Sequence, residues 1–196
     1  MTNPREYVSP SWDRIYDMLL DLAVRIKESG FQPDLIVGVS RGGWIPGRIL
    51  SDLLGNAHTA NLKIEFYVGI AQTGRKPVVT QPVSEEILNK RVLVVDDVAD
   101  TGESLLVALE HVRGRDAAEI KTVTIFYKPH SKFKPDFFAE TTGHWIIFPW
   151  ERLETTQLLI EEAKSQPQAH NIVKETLVRC GIGDKTIAAL LTLVDA

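Results

Sequence analysis

Arg91 to Ser104 reads RVLVVDDVADTGES, and this stretch decides the fold. Its apolar run from Val92 to Val95 predicts a short buried strand, because a continuous apolar run is typical of a strand covered on both faces. Asp96 and Asp97 follow where that strand should end, and Asp100–Ser104 predicts a polar turn that opens the next helix. Helix N-termini favour phosphate and carboxylates accept hydrogen bonds from sugar hydroxyls, so the stretch predicts a sugar-phosphate site.

Other interpretations of this acidic strand end remain. Paired aspartates after a strand also occur in phosphoacceptor domains and in nucleotide hydrolases that hold Mg²⁺. The chain has no G-x-x-x-x-G-K-[ST] loop, which weakens the hydrolase interpretation. The simplest alternative is a solvated strand end followed by an ordinary helix N-cap.

Strands and helices alternate on both sides of this stretch. Apolar residues at helical spacing predict helices over residues 11–29, Trp44–Leu54 and Glu103–Arg113, and short apolar runs predict strands over Asp34–Val39, Ala60–Val68, Ile120–Tyr127 and His144–Phe148. This alternation predicts an α/β fold, with a mostly parallel twisted sheet and helices on both faces. Ligands bind such sheets at the carboxyl ends of the strands, so the loops after Val39, Val95 and Tyr127 should converge on one cleft.

Three segments lack that alternation. Residues 69–82 predict a mobile loop or a loose hairpin, and residues 128–143 predict mostly loop within a small hood region over 128–151. The end of the chain predicts a helical extension over 152–196, separate from a domain over 1–151, with helices at Leu153–Ser165, Ile172–Cys180 and Lys185–Val194.

Composition excludes several classes of protein. The net charge is -4, from 22 basic and 26 acidic residues, which argues against a nucleic-acid binder. The single cysteine, Cys180, cannot form an internal disulfide and is typical of the reducing cytosol. No apolar run reaches the ~18–20 residues of a membrane span, and the polar start of the chain predicts no signal peptide. We therefore expect a cytoplasmic protein that does not contact membranes.

The apolar run, the acidic pair and D-T-G-x-[ST] at Val92–Ser104 resemble the phosphoribosyl-pyrophosphate (PRPP) signature of the type I phosphoribosyltransferases. Two further stretches are similar to the bacterial xanthine–guanine branch of the 6-oxopurine enzymes. One is Ser40–Gly43 with Pro46-Gly47, and the other runs from Thr124–Pro129 to Trp145-Ile146 and Pro149–Glu151. The resemblance covers residues 11–151.

The resemblance implies a role for each matching position. Asp96 and Asp97 would bind the ribose hydroxyls of PRPP, partly through Mg²⁺. The loop of Asp100, Thr101, Gly102, Glu103 and Ser104 would hold the 5-phosphate, with Asp100 also acting as a general base near the purine N7. Pyrophosphate would bind Ser40, Arg41 and Gly42, in a loop that can contain a non-proline cis peptide. The stretch from Tyr67 to Gln81 would close over the reacting centre.

The base pocket implied by the resemblance consists of Lys128, Trp145 and Ile146. Lys128 would donate to the purine 6-oxo group, Trp145 would stack on the ring and the Ile146 backbone would meet the base edge. A solvated lysine and a core tryptophan are the alternatives. The chain departs from the family pattern at Ile147-Phe148, an apolar pair where polar residues are expected.

The implied activity is the Mg²⁺-dependent transfer of a 5-phosphoribosyl group from PRPP to N9 of guanine, hypoxanthine or xanthine, in a homodimer or larger homo-oligomer. The alternatives are the same reaction on another base, and a PRPP- or nucleotide-sensing regulator of the same fold.

Overall fold

The structure is a computed structural model that describes residues 6–68 and 75–195. In chain order its elements are β1 (Tyr7–Val8), α1 (Trp12–Glu28), β2 (Leu35–Ser40), α2 (Trp44–Leu53), β3 (Thr59–Val68), β4 (Arg75–Gln81), β5 (Arg91–Ala99), α3 (Glu103–Arg113), β6 (Glu119–Tyr127), β7 (Phe137–Thr141), β8 (Trp145–Ile146), α4 (Arg152–Ala163), α5 (Ala169–Arg179) and α6 (Asp184–Val194). The helices predicted from apolar spacing are all present, with ends shifted by a few residues at most.

The chain forms two compact units. One contains Ile15–Gly143, and the other contains Met1–Arg14 together with His144–Ala196. The predicted boundary at residue 151, between a main domain and a helical extension, stays a prediction.

The larger unit contains a six-stranded sheet in the order β4-β3-β2-β5-β6-β7. All neighbouring strands are parallel except β3 and β4, which form an antiparallel hairpin. This confirms the predicted α/β fold with a mostly parallel sheet. Residues 69–82 were predicted as a mobile loop or a loose hairpin, and Arg75–Gln81 form strand β4 of this hairpin, while residues 69–74 lie outside the described part of the chain.

Helices cover both faces of the central strands. Val37 and Val39 share a hydrophobic cluster with Leu105 and Ala108 of α3. Gly38 points to the opposite face, where a Cβ atom would lie 3.0 Å from the carbonyl oxygen of Gly43, at the start of α2. Side chains alternate along a strand, so α2 and α3 pack on opposite faces. Strand β2 is consequently buried along its whole length.

An ion pair joins Asp34, the residue before β2, to Arg91, the first residue of β5. Nε and Nη2 of Arg91 donate to the Asp34 carboxylate at 3.0 and 2.8 Å, and the Arg91 backbone N–H donates to it at 2.8 Å. These hydrogen bonds, together with the positive charge, lower the pKa of Asp34 to about 2. Both side chains are 40% exposed, so solvent screens the pair and its contribution to stability is modest.

Replacing Asp34 by asparagine should lower the free energy of unfolding at pH 7 by about 1 kcal/mol. A lowered carboxyl pKa stabilises the fold above the pKa of the unfolded chain, and this contribution is lost as the pH falls through the folded value. The difference between wild type and Asp34→Asn should therefore shrink between about pH 5 and pH 2. Urea unfolding across this pH range measures the difference in the free energy of unfolding, in a double-mutant cycle with Arg91→Met. A constant difference across that range would contradict the ion-pair explanation.

Strand β7 corrects the sequence analysis, which predicted mostly loop over residues 128–143. Phe137–Thr141 pairs in parallel with β6 at the edge of the sheet. Asp136 fixes its start, because its carboxylate accepts hydrogen bonds from the backbone N–H and the hydroxyl of Thr122 at 2.8 and 2.7 Å. The sequence pattern did not predict this strand because prolines and polar residues precede it. An edge strand also needs only one apolar face, which weakens its apolar pattern.

The smaller unit has its own hydrophobic core. Helices α4, α5 and α6 enclose a cluster that contains Leu159, Leu177, Ile187 and Ile147. Cys180 packs half-buried against this cluster, and burial raises the pKa of its thiol. In the described part of the chain, no helix combines the length and the apolar character that crossing a membrane requires.

Candidate active site

The ends of β2, β5 and β6 lie side by side, because these three strands are neighbours and run parallel. The loop after β2 closely approaches the acidic end of β5. A Cβ atom at Gly42 would lie 2.5 Å from Cγ of Asp97, and one at Gly43 would lie 2.7 Å from the backbone nitrogen of Val39. Only glycine permits this approach, so the loop of Ser40–Gly42 and the acidic pair form one surface.

The acidic pair is buried within the strand rather than beyond it. Strand β5 extends to Ala99, four residues further than the apolar run predicts, and it includes both carboxylates. Asp96 and Asp97 are only 9% and 6% exposed, and the backbone N–H of Asp97 donates to the Asp96 carboxylate at 3.0 Å. Two rigidly held carboxylates in a polar cleft can accept hydrogen bonds from hydroxyls or bind a hard cation.

The donor set fits magnesium that is shared with a ligand. Mg²⁺ in proteins usually binds one or two carboxylates, and water and ligand phosphates complete its octahedron. Asp96 and Asp97 supply such a pair. No cluster of three or more histidine, cysteine or acidic residues suited to a metal occurs in the described ranges. The two carboxylates would thus supply part of a magnesium site, and phosphate oxygens and water would complete it.

The loop after β2 begins with a cis peptide bond between Ser40 and Arg41, as the family resemblance implied. Ser40 is buried, and its hydroxyl lies 3.5 Å from the carbonyl oxygen of Leu62. Arg41 follows as an exposed residue at the tip of the loop. The loop thus carries an exposed arginine next to backbone N–H groups, residue types that are suited to a polyanion.

The turn after β5 presents the start of α3. Gly102 has a φ of +79°, which favours glycine, and α3 begins at the next residue, Glu103. The hydroxyl of Thr101 accepts a hydrogen bond from the Glu103 N–H at 3.3 Å, and Ser104 lies in the first turn. Gly102 has no side chain that could cap helix α3. The N–H groups in the first turn of α3 are therefore suited to a phosphate.

The segment that follows β6 lies at this turn, as predicted for the loop after Tyr127, but the hydrogen bonds by which it covers the turn were not predicted. The backbone N–H of Lys128 donates to the carbonyl of Ala99 at 3.1 Å, and that of Lys132 donates to Thr101 at 2.9 Å. A Cβ atom at Gly102 would lie 2.6 Å from the Ser131 hydroxyl, so the two segments are in close contact. No periodic pattern marks residues 128–133, and only the topology brings them here.

Lys128 is buried at the end of β6, with only 6% of the residue exposed. Burial lowers the pKa of its ammonium group, and the nearby negative charge of Asp100 partly opposes that shift. The sequence alternative of a solvated lysine is therefore wrong. A buried ammonium group favours a partner that can accept its hydrogen bonds.

Asp100 carries a contact that the sequence analysis did not predict. Its Oδ1 atom lies 3.1 Å from Nε2 of His130, and the side chains are 54% and 62% exposed. The five histidines of the chain show no spacing typical of a metal site. His130 does lie at the surface, but it reaches an aspartate 30 positions earlier in the chain.

Trp145 and Ile146 belong to the smaller unit, where β8 pairs with β1. Trp145 is 40% exposed, which argues against the core alternative, and its backbone N–H donates to the carbonyl of Glu6 at 2.9 Å. The next residues, Ile147 and Phe148, are fully buried and Phe148 stacks on Trp150 at 4.8 Å. Their apolar character is explained by core packing.

Comparisons with known proteins agree on one family. The phosphoribosyl transferase domain matches residues 11–152. The chain is 29% identical to hypoxanthine-guanine phosphoribosyltransferase of Saccharomyces cerevisiae, over 82% of this chain and 93% of that one. It is 29% identical to xanthine-guanine phosphoribosyltransferase of Cereibacter sphaeroides, over 72% and 84%. The crystal structure of a purine phosphoribosyltransferase from Pyrococcus horikoshii matches with 38% identity and a TM-score of 0.68, over 74% of this chain and 93% of that chain.

Proposed function

The chain belongs to the phosphoribosyl transferase domain family, and we propose that it transfers the 5-phosphoribosyl group of PRPP to N9 of a 6-oxopurine. Guanine, hypoxanthine and xanthine are the candidate bases, and the products are pyrophosphate and a purine nucleoside monophosphate. One observation carries the proposal. The loop of Ser40–Gly42, the acidic pair and Lys128 lie at the carboxyl ends of three adjacent parallel strands.

The leaving group and the ribose would occupy neighbouring parts of this cleft. As the bond from ribose C1 to the pyrophosphate oxygen breaks, negative charge grows on pyrophosphate and positive charge grows on C1. Arg41 and the backbone of Ser40 and Gly42 would bind the pyrophosphate. Asp96 and Asp97 would accept hydrogen bonds from the ribose hydroxyls and, being negative, favour the developing positive charge. Positioning and electrostatics then provide most of the acceleration.

The 5-phosphate would bind the turn at Asp100–Ser104. The N–H groups at the start of α3 and the hydroxyls of Thr101 and Ser104 are the donors. Asp100 would accept the N7 proton of the purine while N9 forms its bond to C1. The purine gives up its N7 proton to Asp100 while its N9 lone pair forms the new bond to C1, so the purine stays neutral.

We propose that Asp96 and Asp97 also hold Mg²⁺ together with PRPP. The cation would supply positive charge that offsets the charge of the pyrophosphate group. The position of both carboxylates in one buried pair supports this, because Mg²⁺ in proteins usually binds one or two carboxylates together with substrate phosphates.

Lys128 would select the base. An ammonium group donates to a 6-oxo oxygen, whereas the 6-amino group of adenine offers it no acceptor at that position. The exposed indole of Trp145 would stack on the purine, and the backbone of Ile146 would bind its edge.

The direct test offers PRPP and Mg²⁺ with hypoxanthine, guanine, xanthine, adenine or uracil, and follows nucleotide formation by chromatography. We expect turnover with at least one 6-oxopurine and none when Mg²⁺ is removed by a chelator. Turnover of only adenine or uracil would contradict the 6-oxopurine assignment. Tight PRPP binding without any turnover would favour a sensing regulator.

Replacing Lys128 by methionine should lower kcat/KM for guanine roughly 100-fold, because a charge-assisted hydrogen bond is lost while the apolar stem remains. Activity with adenine should change by less than about threefold, because adenine gains nothing from the ammonium group. Lys134→Met is the matched control, since Lys134 is exposed and lies 5.4 Å from the ring of Phe138. Equal losses with both bases would show that Lys128 does not read the 6-oxo group.

We also propose a homodimer or larger homo-oligomer in the cytoplasm. Tyr16, Leu20 and Val24 leave an exposed apolar row on α1, which supports self-association, and the single cysteine suits a reducing compartment. Light scattering of the purified chain measures the assembly directly.

A further inference from the structure

His130 holds Asp100 through one of its two carboxylate oxygens. Nε2 of the imidazole lies 3.1 Å from Oδ1 of Asp100, within hydrogen-bond distance. With the Nε2 proton present, the imidazole donates to Oδ1 and leaves Oδ2 for another partner. A carboxylate held in this way cannot rotate freely about its terminal torsion, which is broad and two-fold when unrestrained.

The backbone around His130 is fixed independently of this contact. Lys128 and Lys132 donate backbone hydrogen bonds to Ala99 and Thr101 at 3.1 and 2.9 Å. The Ser131 backbone N–H donates to the Lys128 carbonyl at 3.0 Å, which closes a tight turn around His130. The imidazole is therefore presented to Asp100 by a rigid segment, and its loss should leave that segment in place.

The exposure of the His130–Asp100 pair favours a role in positioning over a role in stabilising the fold. The side chains of His130 and Asp100 are 62% and 54% exposed, and exposed pairs of this kind contribute little to folding. The other charged groups near this end of the turn are Lys128, whose ammonium group lies near the negative charge of Asp100, and the Lys132–Glu103 pair at 2.6 Å.

We infer that His130 is a positioning residue, which orients the Asp100 carboxylate so that its free Oδ2 atom receives the N7 proton of the purine. This inference rests on the proposed function and adds a residue to it. In the step itself, the N7–H bond breaks and an Oδ2–H bond forms, while His130 keeps its hydrogen bond to Oδ1. His130 contacts neither substrate nor leaving group in this role, so it acts only through Asp100.

The test compares His130→Leu with His130→Gln, because the glutamine side chain can place an N–H donor near the position of Nε2. We expect His130→Leu to lower kcat roughly tenfold, the size of effect that a lost orienting hydrogen bond typically has. KM for PRPP and for the base should stay within about twofold, because the backbone hydrogen bonds that hold Lys128 and the turn at Asp100–Ser104 (the phosphate turn) are retained. His130→Gln should recover most of kcat. His58→Leu, at an exposed histidine before β3, is the matched control.

Thermal unfolding of each variant shows whether the fold is retained. A His130→Leu variant with wild-type kcat, or a loss that His130→Gln does not recover, would overturn the inference while the wild-type chain remains active. A rise in KM for the base with unchanged kcat would also overturn it, because that result indicates a displaced Lys128. A wild-type chain that forms no nucleotide would overturn the proposed function together with the inference.

Discussion

Asp100→Asn should lower kcat for a 6-oxopurine about 1,000-fold, within the range that a positioned general base contributes. Asparagine has the shape of aspartate and its amide oxygen can still accept the hydrogen bond from His130, but it cannot take up a proton. The loss should therefore fall on the chemical step. KM for PRPP should change by less than about threefold, because the N–H groups of the phosphate turn are unaffected.

Single-turnover kinetics measure this prediction, since they separate the chemical step from product release. Asp52→Asn provides a control for the change of charge, because Asp52 is an exposed residue of α2. An Asp100→Asn variant with unchanged kcat would remove Asp100 as the base. A variant that loses PRPP affinity in proportion to its activity would instead assign Asp100 to binding.

Gly42→Ala should lower kcat/KM for PRPP about 100-fold, because catalytic groups tolerate displacements of only about 1 Å. The added Cβ atom would lie 2.5 Å from Cγ of Asp97, a distance that non-bonded carbon atoms do not reach. Asp97 is only 6% exposed and cannot swing into solvent, so either the carboxylate or the loop that carries Arg41 must move. Both movements would separate the proposed pyrophosphate site from the proposed ribose site.

Calorimetric titration with PRPP and Mg²⁺, together with steady-state kinetics, measures the effect of Gly42→Ala. Gly143→Ala is the matched control, because a Cβ atom at Gly143 would meet no atom within 4 Å. The two variants should have similar unfolding temperatures if the damage is confined to the cleft. Wild-type affinity for PRPP in Gly42→Ala would contradict the close approach of the two loops.

The strand, turn and helix at Arg91–Arg113 could be predicted from the sequence because local rules determine them. An apolar run rich in β-branched residues, an acidic pair and a glycine turn indicate a strand end and a helix start without reference to the rest of the chain. Parallel topology then predicted that the loops after β2, β5 and β6 lie together, and the sheet order confirms this.

The features that the sequence did not predict depend on contacts between distant segments. The approach of Gly42 to Asp97 joins residues 55 positions apart, and the His130–Asp100 contact depends on the path of residues 128–133 over the phosphate turn. Strand β7 forms because β6 offers an edge and Asp136 binds Thr122, which no periodic pattern reveals. The apolar pair Ile147-Phe148 departed from the family pattern because it packs in a core.

The stoichiometry of the reaction tests the central claim most directly. Purified chain is incubated with PRPP, Mg²⁺ and guanine or hypoxanthine, and pyrophosphate and nucleotide are counted in the same sample. We predict one pyrophosphate for each nucleoside monophosphate, and no pyrophosphate when the base is omitted or replaced by adenine. Pyrophosphate release without a base, or the absence of nucleotide with every 6-oxopurine, would contradict a cleft that joins leaving group, ribose phosphate and base in one transfer.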